Sequence, residues 1–390
     1  VIRGEAEQSI LAFIQAVEQK SGLERVPSLS FRIGDRIFHN PSAEPCFDLD
    51  TLPFPDFSLL SAKLGPAMRG IKPVITSRGC PYDCSFCSVT KLFGRKYRFR
   101  TPENVMEELL SLRLKKGDTV FFYDDNFVAN AENTKRLLRL MIENKITPGW
   151  TAQARVDISE DEELLELMRE SRCFFVYLGL ESINPETLRS YRKKLTLEQI
   201  EEGIERFHKY GIRAHGMFVL GADSDDVATI RKTAKFALKN KIDTVQFLIL
   251  TPVPGTRFYK EMEDEGRLLT QDWSLYDGHH VVHRPALMTP YQLQKETVKA
   301  MAKFYSVWQL LWLFLRFDFL NFVYRSYGNH LVNRWRRQRS SRKYFRMMKE
   351  VSIGTVAKLG NNYRKTAEDV KRYFERLRKR SMKADGGVRS

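Results

Sequence analysis

The sequence predicts an α/β fold: an open, partial (β/α)6 barrel with a helix–hairpin connector before it and a helical region after it. Three observations carry that prediction. Between residues 70 and 290, short β-branched or aromatic runs alternate with amphipathic helical patterns through six units. Alternation of this kind builds a parallel sheet with helices outside it. Six units fall short of the eight that close a barrel, so the barrel is expected to be open, with its chemistry at the C-terminal ends of the strands.

Residues 1–60 read as the connector. Gly4-Glu5-Ala6-Glu7 makes a turn, and Ile10, Leu11, Phe13, Ile14 and Val17 recur at helical spacing. Leu29, Phe31, Ile33 and Ile37-Phe38, broken by Gly34-Asp35, predict a hairpin. Asp50-Thr51-Leu52-Pro53-Phe54-Pro55 is an extended linker. The barrel strands are expected at Val74–Thr76, Thr119–Tyr123, Trp150–Gln153, Phe174–Leu180, Ala214–Leu220 and Thr244–Leu250. The helices between them are expected at Glu103–Leu112, Ala131–Glu143, Asp161–Glu170, Leu197–Tyr210 and Val227–Asn240.

Residues 291–379 form a helical, basic and aromatic region. Phe304–Leu315 is a twelve-residue run without a charge, too short to cross a bilayer. Arg316 and Asp318 interrupt it before Phe319–Tyr324, and Arg334, Arg336, Arg337, Arg339, Arg342 and Lys343 follow. A helical cap on the barrel, a helix lying on an anionic membrane through 304–345, and packing against a further domain all fit this composition. A grip on nucleic acid fits it less well. Residues 380–390 are expected to be a disordered tail.

Composition sets the outer limits. A chain of 390 residues with 43% hydrophobic content buries a full-size core plus a smaller appended unit. Five cysteines, three of them clustered, suit a reducing cytoplasm better than a disulfide-built secreted protein. No signal peptide is visible at the start, which is Val1 and not Met, as in a chain that lacks its natural N-terminus. The net charge of +16 calls for an anionic partner: nucleic acid, a phosphorylated substrate or a membrane surface.

The chemistry concentrates between Pro73 and Thr90. Cys80, Cys84 and Cys87 stand there in the spacing C-x3-C-x2-C, after a β-branched run broken by Gly79 and Pro81. Three thiolates within eight residues make a nest for a soft metal. A structural zinc site wants four closed ligands, usually from two separated pairs, and Cys46 and Cys173 lie far off with no partner spacing. A [4Fe–4S] cluster normally takes four thiolates, so three leave one iron open.

With Phe86 in the position before Cys87, the stretch resembles the C-x3-C-x-aromatic-C hallmark of the radical S-adenosylmethionine (radical SAM) enzymes. The resemblance implies that Cys80, Cys84 and Cys87 hold a [4Fe–4S] cluster whose open iron chelates the amino and carboxylate groups of SAM. It also implies reductive cleavage of SAM to a 5′-deoxyadenosyl radical, with the electron coming from a reductase or a flavodoxin-type donor. At the second strand end, Asp124-Asp125-Asn126-Phe127 is similar to the methionine-amine motif of the cobalamin-associated subgroup, and reads equally as a helix N-cap cluster. At the third, Arg155 stands where the SAM carboxylate would sit, or in a structural ion pair. At the fourth, Gly179-Leu180-Glu181-Ser182 resembles the ribose motif. At the fifth, Gly216 and Gly221 resemble the adenine motif, which this chain departs from at Phe218 and Ser224. Past the sixth, Tyr276, His279 and His280 are candidates to donate or relay a proton, or a polar loop packed on the barrel.

The connector resembles the segment that follows the cobalamin-binding domain in the same subgroup. The cobalt-ligating D-x-H-x-x-G is absent here; Asp277-Gly278-His279 begins like it, but Val282 stands where the glycine belongs. Cobalamin is therefore implied by the subgroup alone, through a domain this chain does not contain, and a plain helix–hairpin is the other reading. The reaction implied is methylation of an unactivated carbon, or a related rearrangement or cyclisation, on a small-molecule or lipid-like substrate. The alternatives are an RNA-modifying enzyme of the methylthiotransferase type and a non-catalytic module stabilised by metal. The expected location is the cytoplasm, peripheral to the inner face of the membrane.

Overall fold

The structure is a computed structural model and describes residues 1–59, 70–94 and 96–358; the expected tail at 380–390 lies outside the described residues. In chain order, the elements begin with α1 (Glu7–Glu18), β1 (Ser30–Ile33) and β2 (Arg36–His39). There follow β3 (Ile71–Val74), β4 (Ser77–Arg78), α2 (Val89–Leu92), β5 (Arg98–Phe99) and α3 (Pro102–Ser111). Next come β6 (Thr119–Phe122), α4 (Ala131–Glu143), β7 (Gly149–Ala154), α5 (Glu162–Glu170), β8 (Cys173–Glu181), α6 (Pro185–Ser190) and α7 (Leu197–Lys209). The chain continues with β9 (Arg213–Leu220), α8 (Val227–Lys239), β10 (Thr244–Ile249) and α9 (Arg257–Asp264). It ends in α10 (Pro290–Phe304), α11 (Val307–Leu315), α12 (Phe319–Arg337) and α13 (Arg339–Lys358).

Six of the strands form one sheet in the order β10-β9-β8-β7-β6-β3. The helices that follow these strands start where short polar side chains cap them. Asn130, Asp161, Thr196 and Asp226 each accept a hydrogen bond from a backbone N–H of the first turn. The described residues pack as two compact units: one drawn from Val1–Asp83, Ser88–Ala154 and Asp161–Val176, the other from Cys84–Cys87, Arg155–Glu160 and the described residues from Tyr177 to 358.

In the first unit β6 pairs in parallel with β3 and with β7. Its core stacks Phe122 on Phe127 at 4.6 Å, with the Trp150 ring at 5.3 Å from Phe127. The ladder of β3 stops at Val74, two residues earlier than the sequence suggests. The reason is that the Asp124 carboxylate takes the Thr76 N–H out of the sheet. The 1–60 segment is fastened at its linker, where Asp50 accepts from the N–H and hydroxyl of Thr101, the N-cap of α3. The hairpin β1–β2 forms in the expected place. α1 also forms, but Ile10, Leu11, Ile14 and Val17 face solvent, and its buried residues are Ser9 and Ala16.

In the second unit β9 and β10 run parallel from His215↔Thr244 to Leu220↔Ile249. β10 ends the sheet, and an edge strand needs cover for its open hydrogen-bonding groups. The C-terminal helices supply it. The Tyr305 hydroxyl bonds both the N–H and the C=O of Val245, and Arg325 of α12 donates to the carbonyls of Ile242 and Asp243. Gly328 lets α12 pass the Tyr305 ring, because a Cβ there would lie 2.5 Å from it.

Candidate functional site

The cysteine loop leaves the sheet after β3, and its base is over-determined. Asp124, fully buried at the end of β6, accepts from Thr76 N (3.0 Å), Thr76 Oγ1 (2.9 Å) and Ser77 Oγ (2.5 Å). Burial pushes its carboxyl up to about 6, against the lowering effect of these donors. Arg78, next in the chain, pairs with Glu5 at 2.8 Å and with Glu7, and Arg98 pairs with Glu5 as well. Burial pushes the Glu5 carboxyl up, but the two guanidiniums outweigh it and hold it below the ordinary carboxylate range. The Gly4–Glu7 turn is thus bolted to the residue two before Cys80. Gly79 has φ +84, and a Cβ on it would sit 2.8 Å from the Lys96 carbonyl oxygen, so only glycine fits.

Cys84–Cys87 form a tight turn, with Cys87 N–H donating to Cys84 C=O at 3.2 Å. Ser85 Oγ donates to the Ser190 carbonyl, and the Phe86 ring meets Tyr191 at 4.7 Å. Phe86 thereby joins a small cluster of Tyr191, Val219, Ala222 and Leu250. Its ring packs the loop in place. All five cysteines are thiols, with Cys80, Cys84 and Cys87 half-buried. Cys173 is buried at the start of β8, where burial pushes its thiol well up and makes it unreactive. Among the described residues no three His, Cys, Asp or Glu side chains are grouped to share one metal ion. A [4Fe–4S] cluster does not ask for that, since each thiolate ligates its own iron.

The strand ends carry the other expected residues. Asp125 is exposed, yet its surroundings raise its carboxyl by desolvation. Asn126 is 4% exposed, and its Oδ1 is a buried acceptor without a partner. Arg155 makes a two-pronged pair with Asp157, Nε at 3.0 Å and Nη2 at 2.7 Å. Glu181 has the left-handed φ of +62 and pairs with Lys193 at 2.8 Å. Gly179 makes room for that pair, since its Cβ would lie 2.6 Å from Glu181 Oε1. Ser182 Oγ accepts from Asn184 N–H. Gly216 is packed by Phe218, Ile242 and Leu180. Gly221, at φ +100, donates its N–H to Asp225 Oδ2 at 3.1 Å, and a Cβ there would strike Leu293.

Tyr276 donates to the Thr270 carbonyl at 2.6 Å, and its ring meets Trp273. His280 pairs with Asp277 at 2.9 Å and abuts the Tyr344 ring at 4.5 Å. Burial lowers the pKa of His279.

Several residues escaped sequence reading. Asp225, fully buried, staples Gly221 and Ala222 to Thr187 (2.6 Å). Tyr177, His215 and Gln246 alternate with core residues on β8, β9 and β10, and so share with Gly179 and Glu181 one half-buried sheet face. The His215 ring lies 5.1 Å from Tyr177, and burial pushes its pKa down to about 4, which keeps it neutral at pH 7. The strand period was the signal that could have found them.

Residues 74–237 match the radical SAM superfamily. An uncharacterized methyltransferase, PH0819, of Pyrococcus horikoshii is 31% identical over 309 residues, covering 78% of this chain and 67% of that protein. The chain belongs to the radical SAM superfamily. The bacteriochlorophyllide d C-12(1)-methyltransferase of Chlorobaculum tepidum is 30% identical over 301 residues, 76% of this chain and 64% of that one. Among solved structures, the radical SAM methyltransferase TsrM of Kitasatospora setae, with cobalamin and a [4Fe–4S] cluster bound, superposes with a TM-score of 0.60 at 18% identity, over 70% of this chain and 56% of its own. That likeness concerns the fold, the open radical SAM barrel. The chain spans about two thirds or less of these proteins. Radical SAM enzymes use a [4Fe–4S] cluster and SAM, and a donor set of three half-buried thiols on one loop fits such a cluster.

Proposed function

We propose that this chain is the radical-generating part of an enzyme that methylates an unactivated carbon of a small or lipid-like molecule, or closes a ring on it. The observation that carries the proposal is the loop of Cys80, Cys84 and Cys87, held at its base by Asp124, Arg78 and Gly79. When bound and reduced, the cluster supplies the electron that cleaves the sulfonium of SAM.

The chain's own residues hold the parts in place. Asp124 is a positioning residue, its carboxylate being occupied by Thr76 and Ser77. Asp125 and the partnerless Oδ1 of Asn126 offer acceptors to the methionine ammonium. Arg155 offers a cation, tempered by Asp157, to the carboxylate. Glu181 and Ser182 are assigned to the ribose, and the strained backbone of Glu181 supports that assignment. Gly221 and the apolar wall near it are assigned to the adenine, with Gly216 keeping the strand beneath it closely packed. Tyr276, His279 and His280 remain the candidates for proton transfer. Cobalamin would come from a separate cobalamin-binding domain, with residues 1–60 as the connector to it. An electron donor of the flavodoxin type and a peripheral membrane position through 304–345, on the cytoplasmic side, complete the reading. Among the described residues no helix is long and apolar enough to cross a membrane.

The test is anaerobic reconstitution with iron and sulfide, then dithionite and SAM. About four irons per chain and formation of 5′-deoxyadenosine are expected. Cys84→Ala is expected to lose both together; retained iron and retained SAM cleavage in that variant would overturn the ligand assignment.

A further inference from the structure

The C-terminal helices carry a second feature, remote from the strand ends where SAM chemistry is placed. α11 reads Val-Trp-Gln-Leu-Leu-Trp-Leu-Phe-Leu, has no charge, and buries a single residue, Leu313. Trp308 is 79% exposed, and Phe317, in the turn to α12, is 78% exposed. On α12 the exposed residues Phe319, Val323, Tyr327 and Leu331 follow one another at four-residue steps. They make an apolar stripe of about 18 Å on the face opposite Asn321 and Arg325, which hold the helix to the start of β10. At nine residues α11 is about 13 Å long, enough to lie in an interface and not to cross one.

Beside this apolar surface lies an open groove of about 470 Å³, within the size range of small-molecule sites. Lys239, Lys241 and Arg316 bring positive charge to it, Trp308 and Trp312 line it, and Asn321 forms part of its wall. Arg316 rests over the Trp312 ring at 4.5 Å. The orientation of the Asn321 amide is decided by two carboxylates: its Nδ2 donates to Asp243 at 2.7 Å and to Asp318 at 2.8 Å. Its Oδ1 is therefore the atom left over, a buried acceptor with no partner. Cations for a phosphodiester and exposed indoles beside them match the headgroup of an anionic glycerophospholipid. The charge of the groove also decides among occupants. A second copy of this chain, with its net charge of +16, would bring more positive charge to a basic rim, whereas an anionic bilayer complements it.

We infer that α11, the Phe317 turn and the outer face of α12 dock the chain on an anionic bilayer, with one phospholipid headgroup seated in the Lys239–Lys241–Arg316 groove. The inference rests on the membrane reading above and deepens it by naming the site. The groove abuts the residues just before β10, the N-terminal edge of the sheet, while Glu181 and Gly221 lie at or just past the C-terminal ends of their strands. It is an anchoring site and not a substrate site.

The experiment is co-sedimentation of the full chain with phosphatidylcholine vesicles, with and without phosphatidylglycerol, alongside light scattering for oligomeric state. Binding is expected to be at least tenfold stronger with phosphatidylglycerol. Trp308→Asp combined with Phe317→Asp, both at exposed positions, is expected to abolish binding while leaving the thermal melt unchanged. Lys239→Glu combined with Lys241→Glu is expected to remove most of the phosphatidylglycerol preference, a loss of tenfold or more. No binding to either vesicle, or a dimer in place of binding, overturns the membrane reading and the groove together. Binding that keeps its full phosphatidylglycerol preference in the lysine variant overturns the groove alone. The readout is binding, so a failure of the radical chemistry leaves it untouched.

Discussion

Asp124 shows how one side chain can be named from a motif and given its task by its surroundings. The run Asp124-Asp125-Asn126 offers three polar groups for one ligand. In the folded chain the first is consumed by Thr76 and Ser77, the second is exposed, and the third keeps an idle acceptor. A consequence follows for pH. The buried Asp124 carboxyl binds its proton more tightly than it would in the unfolded chain, so the native state carries the extra proton between about pH 4 and 6. Its contribution to stability therefore falls as pH rises through that window. Asp124→Asn removes this slope. The stability of the wild type relative to the variant is expected to drop by about 2 kcal/mol from pH 4 to 7, read from urea midpoints. A constant difference would mean that the carboxyl is ionised throughout.

At the level of elements, two short segments hold more than their length suggests. The Gly4–Glu7 turn places Glu5 against Arg78 and Arg98, with side chains 8%, 14% and 3% exposed. Glu5→Gln strips the carboxylate from two nearly buried cations, and a loss of about 3 kcal/mol is expected in urea unfolding. A loss below about 1 kcal/mol would show that water reaches the pair. The junction of α10 and α11 places Tyr305 on the open edge of β10. Tyr305→Phe leaves the Val245 N–H and C=O without a protein partner, at an expected cost of about 1–3 kcal/mol. Cover of this kind is what an edge strand requires, so the C-terminal helices complete the sheet as well as offering a surface.

Across the whole molecule, six strands and five intervening helices lie within a few residues of where periodicity places them, because alternation and caps are properties of sequence neighbours. The one shifted strand, β3, was displaced by a partner distant in sequence. The cysteine loop was legible for the same local reason: three thiols and an aromatic residue at fixed spacing need no tertiary information to be recognised. Local patterning therefore sufficed for the α/β architecture, the place of the cysteine loop and the order of the strand ends. The work of the individual side chains depends on contacts made in the folded chain. Thr76 meets Asp124 across 48 residues, and Arg98 meets Glu5 across 93. Nothing in Ala222-Asp223-Ser224-Asp225-Asp226 says that the second of its three aspartates is the buried staple. Likewise, the composition of 304–315 allowed either cover or exposure. Folding assigned Phe304, Tyr305 and Leu313 to the interior and Trp308, Leu311 and Leu315 to solvent. Pairing of distant groups depends on which surfaces the sheet brings together, and no local spacing encodes it.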